Sequence, residues 1–256
     1  MRARTLARTV VWSITWSAFA QPAARELSGM ELAGVTDLKG TVYHVQGIDF
    51  DEQSVWVTSV DAPNQKGYLH EYSSSGELRR SIEIQDGVRF HPGGIASDGS
   101  SFWVPIAEYR AHSTTVVQRR NKKTLEVEYA FEVPDHIGCI AVTPEYLIGG
   151  NWDSKDFYVW DHEGRLIRKV PSGTQTAYQD MKYEDGFLVA SGLRQDGTGS
   201  IDWLMLPSFE ITRQIRAGKT DRGVSFTREG MAIHGSRLVL LPEDGPARMF
   251  IFQLGR

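Results

Sequence analysis

The sequence contains a single cysteine, Cys139, which excludes an intramolecular disulfide framework. It has no excess of basic residues, since 28 lysines and arginines stand against 32 aspartates and glutamates and the formal net charge is −4. Because a nucleic-acid-binding surface needs clustered positive charge, we predict no nucleic-acid partner. The motifs Gly-x-Ser-x-Gly, His-Glu-x-x-His and Cys-x-x-Cys are also absent, so the corresponding serine-hydrolase, zinc-protease and dithiol sites are not expected.

A short apolar stretch near the N-terminus is the only indication of targeting. The stretch TVVWSITWSAFA, at residues 9–20, follows three arginines and ends in a small-x-small triplet. This order is typical of a secretory signal peptide, and the stretch is shorter than the roughly 20 residues that span a bilayer. We therefore predict a signal peptide at residues 1–20, cleavage before Gln21, and a secreted or periplasmic protein without stable membrane insertion. The alternatives are an amphipathic N-terminal helix and a retained N-terminal anchor.

A five-residue motif recurs along the rest of the chain. The five copies are HVQGI (His44–Ile48), HPGGI (His91–Ile95), HIGCI (His136–Ile140), AYQDM (Ala177–Met181) and TREGM (Thr227–Met231). Their last residues are separated by 47, 45, 41 and 50 positions. Periods of about 40–50 residues with strand-like content are typical of propeller blades, each built from four strands.

The segments after each motif also have the pattern of strands. They are SVWVTSV, SFWVPIA, EYLIGGN, GFLVASG and SRLVLLP. β-Branched and aromatic residues between Gly, Asp and Ser predict a second strand in every unit. A hairpin of two further strands follows, with Gly76 and Gly164 placed at the turns of units one and three. Units two and four lack this glycine, so their turns must be formed by other residues.

The two ends of the chain predict how the fold closes. The fifth unit stops after three strands, at RMFIFQLGR, while residues 29–40 (GMELAGVTDLKG) form a strand that no unit uses. Pairing them would complete a fifth blade and protect its edge. We predict an all-β, five-bladed β-propeller of four-stranded blades, closed by its N-terminal strand, over residues 30–256, after a linker at 21–29. A six-bladed ring would need a sixth unit, and we find none.

On these repeats the chain resembles the five-bladed β-propellers of exported bacterial proteins, with repeats of the WD40/YVTN-like kind. It is most similar to an uncharacterised family that is distantly related to quinoprotein-like and lactonase-like propellers. The resemblance covers nearly the whole predicted mature chain, but propellers host many unrelated activities and it implies no single reaction. It implies that the loops entering the innermost strands and leaving the second strands open on one face, at the mouth of the central channel.

Polar residues of these loops are the predicted ligand-binding site, because convergent polar groups in a pocket favour binding. They are His44, Gln46, His91, His136, Trp152, Asp153, Gln179, Arg194 and Glu229. The expected ligand is a small polar molecule or a carbohydrate, for which Trp152 would supply an aromatic platform. We expect a monomer.

The three motif histidines allow two interpretations. In one, His44, His91 and His136 bind a divalent metal, Ca, Mn or Zn, together with Glu229. The resemblance of the Glu229–Gly230 pair to lactonase-like propellers implies a carboxylate turned towards a calcium. In the other, each histidine is structural and passes a hydrogen bond around the ring. Only three adjacent units carry the histidine, and both interpretations stay open.

The first functional hypothesis is therefore an exported propeller that binds a small polar ligand at the channel mouth. The second is a metal-dependent hydrolase or lyase that uses the same mouth. The third is a protein-interaction platform. Glu108, Asp153 and Glu243 come from three different units and would suit general acid–base catalysis, although acidic residues are equally common as solvated loop residues.

Overall fold

The structure is a computed structural model that describes residues Arg25–Glu26 and 30–255. These residues form twenty-two β-strands and one short 3₁₀-helix. The predicted signal peptide at residues 1–20 lies outside the described residues. Within them no α-helix occurs, so no helix there has the length and apolarity to cross a membrane.

The strands follow one another as a series of meanders. The chain starts with β1 (Arg25–Glu26) and β2 (Met30–Asp37). Blade one comprises β3 (His44–Phe50), β4 (Val55–Asp61), β5 (Lys66–Tyr72) and β6 (Leu78–Glu83). Blade two comprises β7 (His91–Pro92) and β8 (Ala96–Asp98), which share the innermost position, then β9 (Ser101–Ala107), β10 (Thr115–Asn121) and β11 (Val127–Val133).

The remaining blades have the same order. Blade three comprises β12 (Ile137–Val142), β13 (Leu147–Asn151), the 3₁₀-helix (Trp152–Ser154), β14 (Asp156–Trp160) and β15 (Leu166–Pro171). Blade four comprises β16 (Thr176–Glu184), β17 (Phe187–Arg194), β18 (Gly199–Met205) and β19 (Glu210–Ala217). Blade five comprises β20 (Glu229–His234), β21 (Arg237–Pro242) and β22 (Arg248–Leu254), to which β2 is added.

The N-terminal strand closes the ring, as predicted. Strand β2 pairs antiparallel with β22, from Met30 opposite Leu254 to Asp37 opposite Arg248, and so becomes the outermost strand of blade five. The short strand β1 runs parallel to β19 at the outer edge of blade four. The protein is thus an all-β propeller of five four-stranded blades, and blade five combines strand β2 with the last three strands, β20 to β22.

The core consists of five apolar clusters within the described residues, one at each junction between neighbouring blades. Representative pairs are Leu69 with Phe102, Trp103 with Ile140, Phe157 with Met181, Ile201 with Met231, and Leu241 with Ile48. The last pair joins blade five to blade one. Since burying one large apolar side chain contributes about 1.5–3 kcal/mol, each junction stabilises the ring substantially. Strands near the axis are covered on both faces and are buried almost throughout, whereas the outer strands have exposed positions.

The hairpin turns differ between blades as the sequence indicated. Gly76 and Gly164 adopt φ of 82° and 71° in blades one and three. In blades two and four the left-handed positions are taken by Leu125 and Phe209, at φ of 63° and 62°. A β-carbon is disfavoured in this region, but both side chains are buried, and their burial offsets that cost.

The fourth motif position lines the centre of the channel. It holds glycine in three blades, cysteine at Cys139 and aspartate at Asp180. The innermost strands approach so closely that a β-carbon on Gly47 would lie 2.6 Å from the α-carbon of Gly94. A β-carbon on Gly94 would lie 2.4 Å from Oδ1 of Asp180. These glycines are therefore explained by packing, and they leave room for the one larger side chain.

The Asp180 carboxylate fills that room and connects three blades. Its Oδ2 accepts hydrogen bonds from the amides of Ile48 and Met231, both at 3.1 Å. Its Oδ1 accepts from the amide of Met181 at 2.9 Å and from Nζ of Lys182 at 2.6 Å. Burial raises the pKa of Asp180 to about 6, although Lys182 opposes the shift. The carboxylate is consequently a structural link across the channel, and its two oxygens already have four donors.

Candidate functional site

The channel mouth is formed by the starts of the innermost strands and the loops after the second strands. At its blade-one and blade-five side, His44 meets two carboxylates. Nε2 of His44 lies 3.4 Å from Oε1 of Glu229 and 3.8 Å from Oε2 of Glu243. Glu243 also accepts a hydrogen bond from the amide of Val45 at 3.1 Å, which fixes the carboxylate relative to blade one. This cluster of His44, Glu229 and Glu243 is called the acidic wall below.

The titration of the acidic wall follows from these contacts. The hydrogen bond to Glu229 raises the pKa of His44, against an opposing effect of burial. Burial raises the pKa of Glu243, and the negative charge of Glu229 adds to the rise while His44 opposes it. The pKa values of His44 and Glu243 are thus both raised at one site, and perturbed titratable groups of this kind concentrate where general acid–base chemistry occurs.

Glu229 has an unusual backbone conformation. Its φ is 97°, in a region that glycine tolerates and other residues rarely adopt, and the side chain is almost wholly buried. A non-glycine residue held there costs of order 1–3 kcal/mol, and such residues concentrate at functional sites. The strained backbone directs the carboxylate to His44.

The third motif position, which Glu229 occupies, is irregular in other blades as well. The pairing of the first two strands shifts register around Gln46, around Gly138 and around Gln179. A β-bulge turns a side chain away from its regular direction and is frequent next to binding sites. The bulge explains how Gln46, although it belongs to an innermost strand, reaches a neighbouring blade at the mouth.

That contact of Gln46 is with the histidine of blade two. Oε1 of Gln46 lies 2.9 Å from Nε2 of His91. Burial lowers the pKa of His91 to about 3, so the ring is neutral at physiological pH. If Nε2–H donates to Gln46, Nδ1 of His91 carries a lone pair, and this buried atom has no partner among the described residues.

The opposite side of the mouth is aromatic. The ring of Tyr109 packs edge-on against His91 at 4.5 Å between centroids, and Trp152 packs edge-on against His136 at 4.6 Å. His91 and His136 are themselves 5.3 Å apart. Tyr109 and Trp152 remain 44% and 36% exposed, enough for a ligand to stack on them. These four rings are called the aromatic wall below.

Each motif histidine contacts the blade that precedes it. His44 contacts Glu229 of blade five, His91 contacts Gln46 of blade one, and Nδ1 of His136 lies 2.9 Å from the carbonyl oxygen of Arg110 in blade two. Contacts of this kind were expected from the structural interpretation of the histidines. Among the described residues, no group of three or more His, Cys, Asp or Glu side chains is arranged to hold a metal ion. Metal binding by His44, His91, His136 and Glu229 stays a prediction.

Three other predicted residues lie apart from the two walls. Asp153 and Arg194 line a cleft of about 350 Å³ between blades three and four. Asp153 is paired with Lys155 at 3.8 Å, and the half-buried guanidinium of Arg194 has no carboxylate within 4 Å among the described residues. Gln179 is half-buried on β16, beside Asp180.

The structure separates two loop glutamates, Glu108 and Glu243, that were equally good acid–base candidates from the sequence. Glu108 is bound to Arg110 at 2.7 Å and to the amide of Thr114, which accounts for it as a structural loop residue. Glu243 has no such arginine and faces His44 instead. The only feature of the sequence that indicated a role for Glu243 was its position in the loop after β21, a second strand. Tyr109 has the equivalent position, in the loop after β9.

Comparison with known families and structures gives a fold but no reaction. A family described as "Family of unknown function (DUF6454)" matches residues 59–177, in agreement with the expected resemblance to an uncharacterised family. No curated protein sequence matches the chain.

The chain is similar in structure to the glutaminyl cyclase of Myxococcus xanthus, with a TM-score of 0.67 and 13% sequence identity over 92% of this chain and 100% of that one. BamB from Moraxella catarrhalis matches with a TM-score of 0.46 and 11% identity, over 86% of this chain and 61% of that chain. At 13% identity the similarity to the cyclase establishes the propeller fold alone.

Proposed function

We propose that the channel mouth binds a small polar ligand, whose hydrogen-bond donors face Glu229 and Glu243 and whose flat face packs on Trp152. The observation that carries this proposal is the conformation of Glu229, at φ of 97° with its carboxylate against His44. Glycine would occupy this backbone without strain, so fold stability alone gives no reason for a glutamate here.

The two walls support a ligand with distinct ends. The acidic wall offers carboxylate oxygens, and the aromatic wall offers exposed ring surface on Tyr109 and Trp152. Gln46 connects the two walls, since it is two residues from His44 and its side chain contacts His91, which packs against Tyr109 and His136. Amines, amino acids, N-terminal peptide segments and sugars combine donors with an apolar face in this way.

The test is a thermal-shift panel of amines, amino acids, dipeptides and monosaccharides on the wild-type protein. A compound that binds the folded state raises the melting temperature as its concentration exceeds the Kd. We expect Glu229→Gln to lose that rise. The matched control is Glu77→Gln, which changes an exposed glutamate of a blade-one hairpin. A rise that Glu229→Gln retains in full would refute binding at this mouth.

A second candidate function, an acid–base enzyme, is favoured by the raised pKa values of both His44 and Glu243 at one site. Peptides with N-terminal glutamine are the first substrates to assay, because the similar propeller from Myxococcus xanthus is a glutaminyl cyclase. We expect a rate that depends on pH near neutrality, and expect Glu243→Gln to abolish it. A rate unchanged in Glu243→Gln would exclude this carboxyl as the acid or base.

Two further parts of the proposal rest on the sequence. The arginine-flanked apolar stretch at residues 9–20 supports export, and mass spectrometry of protein from the native host should find Gln21 at the N-terminus. A full-length cytoplasmic product would contradict export. The alternative of a metal-dependent hydrolase or lyase rests on His44, His91, His136 and Glu229, and is tested by metal analysis of protein purified without chelators.

A further inference from the structure

Arg228 is a cation at the channel mouth that the acidic wall leaves without a partner. It directly precedes Glu229, and its side chain is exposed. Among the described residues, its guanidinium forms neither a hydrogen bond nor an ion pair. The carboxylates of Glu229 and Glu243 contact His44 instead. The donors of Arg228 are therefore open to a ligand that enters the mouth.

The backbone of this segment is fixed on both sides. The amide of Arg228 donates to the carbonyl oxygen of Ser225 at 3.1 Å, and the carbonyl oxygen of Arg228 accepts the amide of Glu243 at 2.9 Å. One residue earlier, Oγ1 of Thr227 donates to the carbonyl oxygen of Gly192, in blade four, at 2.8 Å. The arginine side chain thus starts from a well-anchored loop beside both carboxylates, which lowers the entropy lost when a ligand binds.

The charge of Arg228 acts on the acidic wall, although its guanidinium is bonded to none of its members. The hydrogen bond to Glu229 raises the pKa of His44, burial raises the pKa of Glu243, and the positive charge of Arg228 opposes both shifts. Since the interaction of two charges weakens with their separation, the guanidinium lies near both groups. The mouth therefore presents two carboxylates and an unpaired cation side by side, an arrangement that favours a ligand with both charges.

We infer that the ligand of the mouth is an α-amino acid, whose ammonium group faces Glu229 and Glu243 and whose carboxylate pairs with Arg228. An α-amino acid carries these two charged groups on one carbon atom. A guanidinium binds a carboxylate through two parallel, charge-assisted hydrogen bonds. Amines and sugars lack the carboxylate and would leave Arg228 unused. The inference rests on the proposed function, and it makes Arg228 the residue that selects amino acids among small polar ligands.

The experiment is a calorimetric titration of L-phenylalanine and of phenylethylamine into the full chain at pH 7.5. The two compounds share the ring and the ammonium group and differ only in the carboxylate. L-Alanine and ethylamine form a second pair that lacks the ring. We expect at least one amino acid to bind at least about tenfold more tightly than its amine, a difference of about 1.4 kcal/mol. Arg228→Gln should remove this preference by weakening the binding of the amino acid and not that of the amine.

Two further variants separate the carboxylate contact from binding at the mouth as a whole. Glu229→Gln should weaken the binding of both members of a pair. The matched control is Arg237→Gln, because Arg237 is an exposed arginine at the start of β21, on the face opposite the mouth, where it lies over Phe50 at 4.9 Å. This variant should bind both compounds as the wild type does. Circular dichroism and the unfolding midpoint of each variant confirm that it is folded.

The outcomes distinguish this inference from the proposed function. Equal affinities of the wild type for amino acid and amine, or a preference that Arg228→Gln retains, would overturn the inference. If Glu229→Gln still lost the binding of the amine, the proposed function would stand without it. Binding of a monosaccharide that depends on Glu229, with no binding of either amino acid, would have the same meaning. Absence of binding by every compound would refute both.

Discussion

Replacement of Asp180 by alanine is the most direct test of how the ring is held together. Asp180 is fully buried, and its carboxylate joins blade four to blade one through Ile48 and to blade five through Met231. The variant removes the acceptor of these two amides and of the Met181 amide. It also leaves the ammonium of Lys182, whose side chain is only 6% exposed, without its carboxylate.

The expected loss can be derived from these contacts. Removing one partner of a buried ion pair costs about 3–5 kcal/mol, because the other charge stays buried without compensation. Each amide left without an acceptor adds about 1–3 kcal/mol, less where water enters the space. We therefore expect Asp180→Ala to lower the free energy of unfolding by at least about 3–5 kcal/mol. A domain stabilised by about 5–15 kcal/mol would then be only marginally folded.

Urea unfolding, followed by tryptophan fluorescence and circular dichroism at pH 7.5, measures this loss. A carboxyl group whose pKa is about 6 is ionised at that pH. The double variant Asp180→Ala/Lys182→Met removes both charges and should recover about 1–3 kcal/mol relative to Asp180→Ala alone. Asp196→Ala, at an exposed loop position, is the control and should cost about 1 kcal/mol or less.

Two results would refute this reasoning. A loss below about 1 kcal/mol in Asp180→Ala would mean that the carboxylate is not an essential link between blades. A double variant that is less stable than Asp180→Ala would mean that Lys182 is stabilised by other groups and that the pair is not coupled as described.

Three further predictions test separate features. Burial lowers the pKa of His70 to about 4, so as the pH falls from 6.5 this imidazole is protonated in the unfolded chain before it is protonated in the folded protein. The free energy of unfolding should therefore fall by about 3 kcal/mol between pH 7 and pH 4. In urea titrations, His70→Gln should remove that part of the pH dependence. Glu229→Gly should be more stable than Glu229→Ala by about 1 kcal/mol, because both lack the carboxylate and only alanine is strained at φ of 97°; equal midpoints would contradict the strain. Deleting residues 30–37 should destabilise the domain by several kcal/mol, since it exposes the edge of β22; an unchanged melting temperature would contradict the closure.

Most of the fold could be predicted because the repeat is periodic and its strands are apolar. The five motif copies gave the blades, and the surplus strand at the N-terminus gave the closure. Even the absence of glycine from two hairpins was informative, as Leu125 and Phe209 take the left-handed positions there. These features depend on local sequence or on the number of strands, and so they could be predicted without knowledge of the tertiary contacts.

The site could be predicted only as a set of positions on one face. The acids Glu108 and Glu243 have equivalent places in their loops, but the loop of blade two turns an arginine towards Glu108 and the loop of blade five turns none towards Glu243. The role of Asp180 was missed for a similar reason. Its carboxylate is a channel link because amides from two other blades point at it, and no spacing in the sequence records their direction.

Different positions of the five-residue motif serve the fold and the candidate site. Its fourth and fifth positions face the packed centre, where space admits only glycine, cysteine or the one aspartate and where isoleucine or methionine is fully buried. Its third position lies at a bulge in blades one, three and four, and is the strained Glu229 in blade five. The side chain there does not follow the regular alternation of the strand and does not point into the core. The residue type at this position can therefore differ between blades without a change in core packing. Five related blades can therefore form an asymmetric binding site at this position, through differences such as those between Gln46, Gln179 and Glu229.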